Sequence, residues 1–268
     1  MSKEKGAGKR FLSFLSQYRN EFAASLIFLA VIFKYILEES QEMLSFSQIE
    51  ADWGMCCRML FSTTNTFWFS SSYWLVFCVW MRGMMQRGTL RFSVIRCKGK
   101  QQWSFYMLKK GLLFAVIFPV VHFLGLSFMN ILMYGWNHPA MEEAACREIF
   151  LNLPIGGCII TSLFARILVS VLAVMVIWTL TLATGRALYA VAGYMLYALI
   201  SSIAVLFDIR MDVLVFPSGV SFIYLLRNFA ENVILIPEIF LIGCLCCYGL
   251  QRFFLNRIEM ETITGSNR

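Results

Sequence analysis

The sequence predicts an all-α membrane protein, and three observations support this fold class. Of the 268 residues, 59% are hydrophobic and only 15% are charged, whereas soluble domains carry roughly 25% charged residues. The apolar residues gather in long runs that approach the about 20 residues needed to cross a bilayer as a helix. The basic residues gather in the short segments between those runs, as in proteins that are oriented in a membrane.

Six apolar segments predict six transmembrane helices in a single domain that covers residues 1–268. We expect the spans near 22–37, 61–81, 112–133, 163–183, 187–207 and 233–250. The first segment is short for a hydrocarbon layer of roughly 30 Å, so we expect it to extend into its flanks while Lys34 reaches toward the surface. Residues 1–20 combine basic side chains with apolar ones at helical spacing, which predicts an interfacial amphipathic helix.

The charges of the connecting segments predict which side of the membrane each one faces. Segment 82–110 contains basic residues and no acidic ones: Arg82, Arg87, Arg91, Arg96, Lys98, Lys100, Lys109 and Lys110. The first, third and fifth connecting loops are mainly acidic. Because basic loops stay in the cytoplasm, we expect both termini, segment 82–110 and a tight turn at 184–186 inside. The net charge of +7 therefore reflects orientation in a membrane, and nucleic acid is not an expected partner.

Residues 208–232 predict a re-entrant hairpin before the sixth helix. Two apolar pieces, 213–216 and 220–226, flank Pro217, Ser218 and Gly219, which would interrupt a continuous helix. Such a broken segment is tolerated at membrane depth only where protein or water covers its backbone.

The order of these elements resembles the permease subunit of a type-2 ABC transporter, of the small type found in Gram-positive bacteria. The elements are a basic amphipathic lead-in, six spans, a basic segment between the second and third spans, and a broken hairpin before the sixth. The closest local similarity is RFSVIRCKGKQQWSFYMLKKG, in which Arg96, Gly99, Lys100 and Trp103 occupy the family's positions before the third span.

The resemblance implies a separate ATPase as the partner. The chain lacks the G-x-x-x-x-G-K-[ST] loop that cradles nucleotide phosphates, so ATP and Mg would be bound by that partner, and this chain would not itself be an enzyme. In the family, the segment matching 91–110 contains a cytoplasmic coupling helix that is seated in the ATPase. The implied coupling residues are Arg91, Arg96, Lys98, Gly99, Lys100, Trp103 and Phe105, with the two aromatic residues as apolar anchors.

The family also implies a function and a location. The chain would pair with a second permease subunit, identical or homologous, and export a peptide, an antibiotic or a lipid-like molecule across the bacterial plasma membrane. An alternative is a noncatalytic membrane sensor or bacteriocin-immunity protein that acts without an ATPase. In that case, segment 82–110 would be only a solvated loop.

Charged residues inside the spans are the candidates for a transport path or outer gate. Arg166 and Glu238 lie near the predicted outer ends of the fourth and sixth spans, and Pro217 and Gly219 belong to the hairpin beside them. The two charged side chains have three possible arrangements: they pair, they face a substrate cavity, or they reach out to the surface. His122, after Pro119, is expected to be a packed helix residue.

Enzymatic and metal sites are not predicted. Glu142, Glu143 and Arg147 resemble the first motif of the intramembrane CAAX-processing and bacteriocin-immunity proteases, but His122 and His138 both precede that motif. The two His and nine Cys lack the paired spacing of a zinc site. Cys56 or Cys57 is a candidate to form a disulfide with Cys146 on the outer side.

Overall fold

The computed structural model describes residues 18–47, 67–86, 97, 99–134, 155–206 and 235–257. These ranges are all-helical and contain no strand. They form six helices: α1 (Arg19–Ser47), α2 (Phe67–Gln86), α3 (Lys100–Tyr134), α4 (Ile155–Thr184), α5 (Ala187–Leu206) and α6 (Leu235–Arg257). Each predicted span overlaps one of these helices.

Several helices are longer than the predicted spans. α1 has 29 residues, and α3 has 35 residues, which corresponds to a length of about 52 Å. The extension of α1 includes an ion pair between Lys34 Nζ and Glu38 Oε1 at 3.2 Å, with both side chains exposed. The predicted amphipathic helix at 1–20, apart from its last three residues, and the predicted hairpin at 208–232 lie outside the described residues.

Two of the described helices contain segments that are long and apolar enough to cross a membrane. These segments are Lys100–Met129 of α3 and Arg166–Thr184 of α4. α5 contains a shorter apolar segment, Ala187–Ile200. Many large apolar side chains also point away from the bundle, including Leu26, Leu113, Leu196 and Leu245, which is unusual for a protein surrounded by water.

The helix contacts close into a five-membered ring with a sixth helix attached. Going round the ring, α1 packs on α2, α2 on α5, α5 on α4, α4 on α3, and α3 on α1. α6 packs on α4, which therefore contacts α3, α5 and α6. The ring interior is filled mainly by buried aromatic and aliphatic side chains, with Phe77, Phe118, Trp178 and Tyr194 among the largest.

The antiparallel packing collects basic residues at one end of the bundle, which we call the basic end. Contacts between Trp103 and Trp178, between Thr181 and Met85, and between Gln251 and Thr179 bring the start of α3 beside the ends of α2, α4 and α6. The described basic residues at this end are Arg19, Arg82, Lys100, Lys109, Lys110, Arg186, Arg252 and Arg257. Among the described residues of the basic end, Glu21 is the only acidic one, and it is buried.

A tight turn at the basic end joins α4 to α5, as the sequence predicts for residues 184–186. Gly185 has a φ of 69°, a conformation that glycine adopts without steric cost. Its N–H donates to the Thr181 carbonyl at 2.9 Å, so the turn satisfies one of the carbonyls left open at the end of α4. The Thr184 hydroxyl donates to the Leu180 carbonyl at 2.8 Å and accepts from the Arg186 N–H at 3.4 Å.

Candidate functional site: the start of α3 and a buried polar cluster

Residues 100–110 of the predicted coupling segment form the first three turns of α3. The Gly99 carbonyl accepts a hydrogen bond from the Trp103 N–H at 3.0 Å, and the helix then continues without a break from Lys100 to Tyr134. Residues 100–110 are therefore continuous with the rest of α3, and a coupling helix within segment 91–110 stays a prediction. Arg91, Arg96 and Lys98 lie outside the described residues.

One face of this segment is fixed in the bundle by Trp103. Its side chain is only 2% exposed, and its ring centroid lies 5.3 Å from that of Trp178 on α4. The Trp178 indole N–H donates to the hydroxyl of Ser104 at 3.1 Å. Trp103 is thus a packing residue of the α3–α4 interface, and its implied role as an anchor for the ATPase stays a prediction.

The outward faces of the segment carry apolar and basic side chains. Phe105 is 69% exposed, and Lys109, one turn further along, is also exposed. On the neighbouring face, Lys110 Nζ lies 4.5 Å from the centroid of the Tyr106 ring. Of the two predicted anchors, Phe105 is thus the one available to a partner, in a basic surrounding.

A second region of interest is a cluster of polar side chains inside the bundle. The Cζ atom of Arg166 on α4 lies 5.4 Å from the centroid of the Tyr73 ring on α2. The Tyr73 hydroxyl shares a hydrogen bond with the hydroxyl of Ser170 at 3.2 Å. Both hydroxyl-bearing residues are buried. A guanidinium held over a ring in this way is stabilised by the negative face of the π system.

His122 of α3 completes this cluster. It is 7% exposed, and its ring lies 4.0 Å from that of Phe118 and 5.6 Å from that of Phe28, centroid to centroid. Its Nδ1 atom is 2.9 Å from the Phe118 carbonyl, so Nδ1 carries the proton and Nε2 is the acceptor in the neutral ring. Nε2 has no hydrogen-bond partner among the described residues, and both Phe28 and Phe118 also contact the Tyr73 ring.

The structure shows which group faces Arg166 within the described helices. Its guanidinium faces the interior and Tyr73 and does not reach outward to the surface. Glu238 belongs to the first turn of α6, but its side chain lies outside the described part of the chain, as do Pro217 and Gly219. The predicted grouping of these residues with Arg166 therefore stays a prediction.

Sequence reasoning missed a buried polar link between α4 and α6. Gln251 is buried, and its side-chain N–H groups donate to the Thr179 hydroxyl at 3.1 Å and to the Met175 carbonyl at 3.3 Å. A glutamine directly after an apolar run is visible in the sequence, and polar residues in such places commonly bond to a neighbouring helix. The same signal marks Ser170 within the apolar run of α4.

Chemistry that needs a metal has no candidate site in the helices described here, since no group of three or more His, Cys, Asp or Glu residues comes together there. The start of α3 offers a surface for a macromolecular partner, and the buried cluster offers fixed charge and hydrogen-bonding groups in an apolar interior. Comparison with known protein families, curated proteins and solved structures finds no match.

Proposed function

We propose that the chain is the membrane-spanning subunit of an ATP-driven exporter. It would span the plasma membrane six times with its basic end in the cytoplasm, pair with a second permease subunit, and bind a separate ATPase. The apolar outward side chains and the basic end support membrane insertion, because lipid covers the former and basic segments are retained in the cytoplasm. The substrate would be a peptide, an antibiotic or a lipid-like molecule.

The observation that carries this proposal is the exposed Phe105 beside Lys109 on an otherwise rigid helix. An exposed aromatic residue within a basic surface suits an apolar pocket with an acidic rim on a partner protein. The opposite face of the same turns is fixed to α4 through Trp103 and Trp178. A displacement of Phe105 by a partner would therefore move α4 as well.

The same helix pair connects this surface to the buried cluster. Trp103 and His122 are 19 positions apart on α3, which corresponds to about 29 Å along the helix axis. Arg166 and Trp178 lie on the facing α4. In this proposal, ATP-driven movement at the basic end moves α3 and α4 together against the other helices and changes the surroundings of Arg166 and His122, where the transported molecule passes.

Purification tests the proposal. The tagged chain, extracted in mild detergent from the cells that encode it, is expected to elute with an ATPase whose hydrolysis depends on this chain. Phe105→Ala with Lys109→Glu should remove most of the co-eluting ATPase while leaving the melting temperature of the chain unchanged. Leu132→Ala is the matched control, because Leu132 lies on α3 far from the basic end and is equally exposed, 67% against 69% for Phe105.

Two results would contradict the proposal. The first is a wild-type chain that elutes alone and binds its ligand without ATP hydrolysis, which would favour the sensor or immunity-protein alternative. The second is an equal loss of ATPase in the Phe105 and Leu132 variants, which would show that the start of α3 is not the contact surface.

A further inference from the structure

Four basic side chains at the basic end each lie over an aromatic ring of their own helix. The distances from the cation to the ring centroid are 4.5 Å for Lys110 and Tyr106, 5.5 Å for Arg186 and Tyr189, 5.2 Å for Arg252 and Tyr248, and 4.2 Å for Arg257 and Phe253. These four basic–aromatic pairs lie on α3, α5 and α6, and all eight side chains are exposed. The arrangement therefore recurs on three helices.

Three of the pairs stand at the end of an exposed apolar stripe. On α6, Leu241 and Leu245 are followed at helical spacing by Tyr248 and then by Arg252. Residues at spacings of three and four lie on one helix face, so the order along that face is aliphatic, aromatic, cationic. On α5, the stripe of Ile200 and Leu196 leads in the same way to Tyr189 and then to Arg186. On α3, the stripe of Leu124, Ile117 and Leu113 reaches Lys110 first and Tyr106 one turn later.

The order aliphatic, aromatic, cationic along α5 and α6 matches the depth profile of a phospholipid leaflet. Aliphatic side chains match the acyl chains, tyrosine and other aromatic rings favour the interface, and cations reach the phosphate level. Stacking on a ring restrains the cation while its N–H groups remain available to an acceptor.

The four cations lack a carboxylate partner among the described residues. The ion pair found there joins Lys34 to Glu38, which lie on α1 away from the basic end. The exposed cations of the basic–aromatic pairs thus present positive charge that an external anion can neutralise. At the level of the headgroups, the abundant anion is the phosphate of the lipid itself.

We propose that the four basic–aromatic pairs are binding sites for the headgroups of anionic phospholipids, with the acyl chains lying along the adjoining apolar stripes. The inference rests on the proposed membrane insertion but not on the proposed ATPase partner. Phe105 and Lys109 lie on a different face of α3 from Tyr106 and Lys110, so lipid and a partner protein would occupy separate surfaces of the same helix.

The test measures lipid binding to the full chain in micelles of a neutral detergent. Energy transfer from the tryptophans to dansyl-labelled phosphatidylglycerol reports binding, and unlabelled lipids compete. We expect phosphatidylglycerol to displace the probe at far lower concentration than phosphatidylcholine. A surface cation contributes a factor of about five to the affinity for an anionic lipid, so Arg252→Gln should weaken phosphatidylglycerol binding about fivefold at its own site and leave the other three sites unchanged.

Combined replacement of Lys110, Arg186, Arg252 and Arg257 by Gln should abolish the preference for phosphatidylglycerol. Lys34→Gln is the matched control and should leave the preference intact. Arg252→Lys, which keeps the charge, should retain most of the binding and remains informative if the combined variant does not fold.

Three results would overturn the inference. They are equal competition by phosphatidylcholine, an undiminished preference in both Arg252→Gln and the combined variant, and displacement of the probe by millimolar inorganic phosphate, which would indicate a site for a free anion. The assay contains no ATPase, so its result does not depend on whether the chain is part of an ATP-driven exporter.

Discussion

Replacement of Gly111 by Ala should loosen the contact between α3 and α4. A Cβ atom at position 111 would lie 2.7 Å from Val174 Cγ1, well inside van der Waals contact. Val174 is buried in the core, so it cannot simply rotate away. Overpacking of this kind costs about 1–3 kcal/mol, whereas the higher helix propensity of Ala returns up to about 1 kcal/mol. The net loss of stability is then about 0–2 kcal/mol.

Gly193→Ala is the matched control for this prediction. Gly193 lies within α5, and a Cβ atom there would meet nothing within 4 Å. Only the gain in helix propensity applies at that position, which favours the folded state by about 1 kcal/mol. The two variants should therefore differ by about 1–3 kcal/mol, the overpacking cost itself. Unfolding by sodium dodecyl sulfate, followed by tryptophan fluorescence, measures this difference.

A double-mutant cycle with Val174→Ala separates the steric cost from other effects. Val174→Ala removes the methyl group that meets the new Cβ, so Gly111→Ala should cost less in that background by at least about 0.5 kcal/mol, the lower limit for residues in contact. Equal stability of Gly111→Ala and Gly193→Ala, together with additive effects in the cycle, would refute the close approach of the two helices at this point.

Three further predictions concern the two helix interfaces and the orientation of the chain. Trp103→Ala should lower the free energy of unfolding by about 3–5 kcal/mol, the range for a buried Trp, without changing ATPase association per folded molecule. A loss of ATPase association without a loss of stability would show that Trp103 contacts the ATPase. Gln251→Leu should lower that free energy by about 0.6 kcal/mol, and at most about 1.7, and a neutral result would show that the bond to Thr179 adds nothing. In a variant that retains Cys97 as its single cysteine, an impermeant thiol reagent should react only after the cells are opened, and labelling of intact cells would reverse the proposed orientation.

The sequence predicts the helical architecture well because long apolar runs leave few alternatives. Each of the six described helices overlaps a predicted span, and the turn at Gly185 falls where it is expected. Element ends are less predictable. The prediction starts the third span at residue 112, because basic side chains dominate the preceding segment, whereas α3 begins at Lys100.

A finer pattern in the sequence does indicate the true start of α3. Buried residues recur at spacings of three and four along this helix: Trp103, Met107, Gly111, Ala115, Phe118 and His122. This stripe crosses the predicted boundary without a change of phase, as expected for one helix with one buried face. Its continuity would have placed Trp103 in the core.

Contacts within the buried cluster could not be predicted from the sequence. The position of Arg166 over Tyr73 depends on how α2 and α4 are offset along their axes, and this offset is set by side-chain packing. A sequence search limited to ionisable groups selects Arg166 and Glu238 as a possible ion pair. It overlooks an aromatic ring as the group that faces the guanidinium.

The closure of the helix ring through α2 and α5 has a consequence for biosynthesis. The two helices are separated in the chain by α3 and α4, yet they pack directly on each other. While the ribosome is still making the intervening segments, the aromatic surface of α2 at Trp74 lacks Tyr194 of α5, whose ring centroid lies 5.6 Å from that of Trp74 in the folded chain. The nascent protein must therefore shield that aromatic surface with lipid or a chaperone until α5 emerges, which makes late truncations prone to misassembly and degradation.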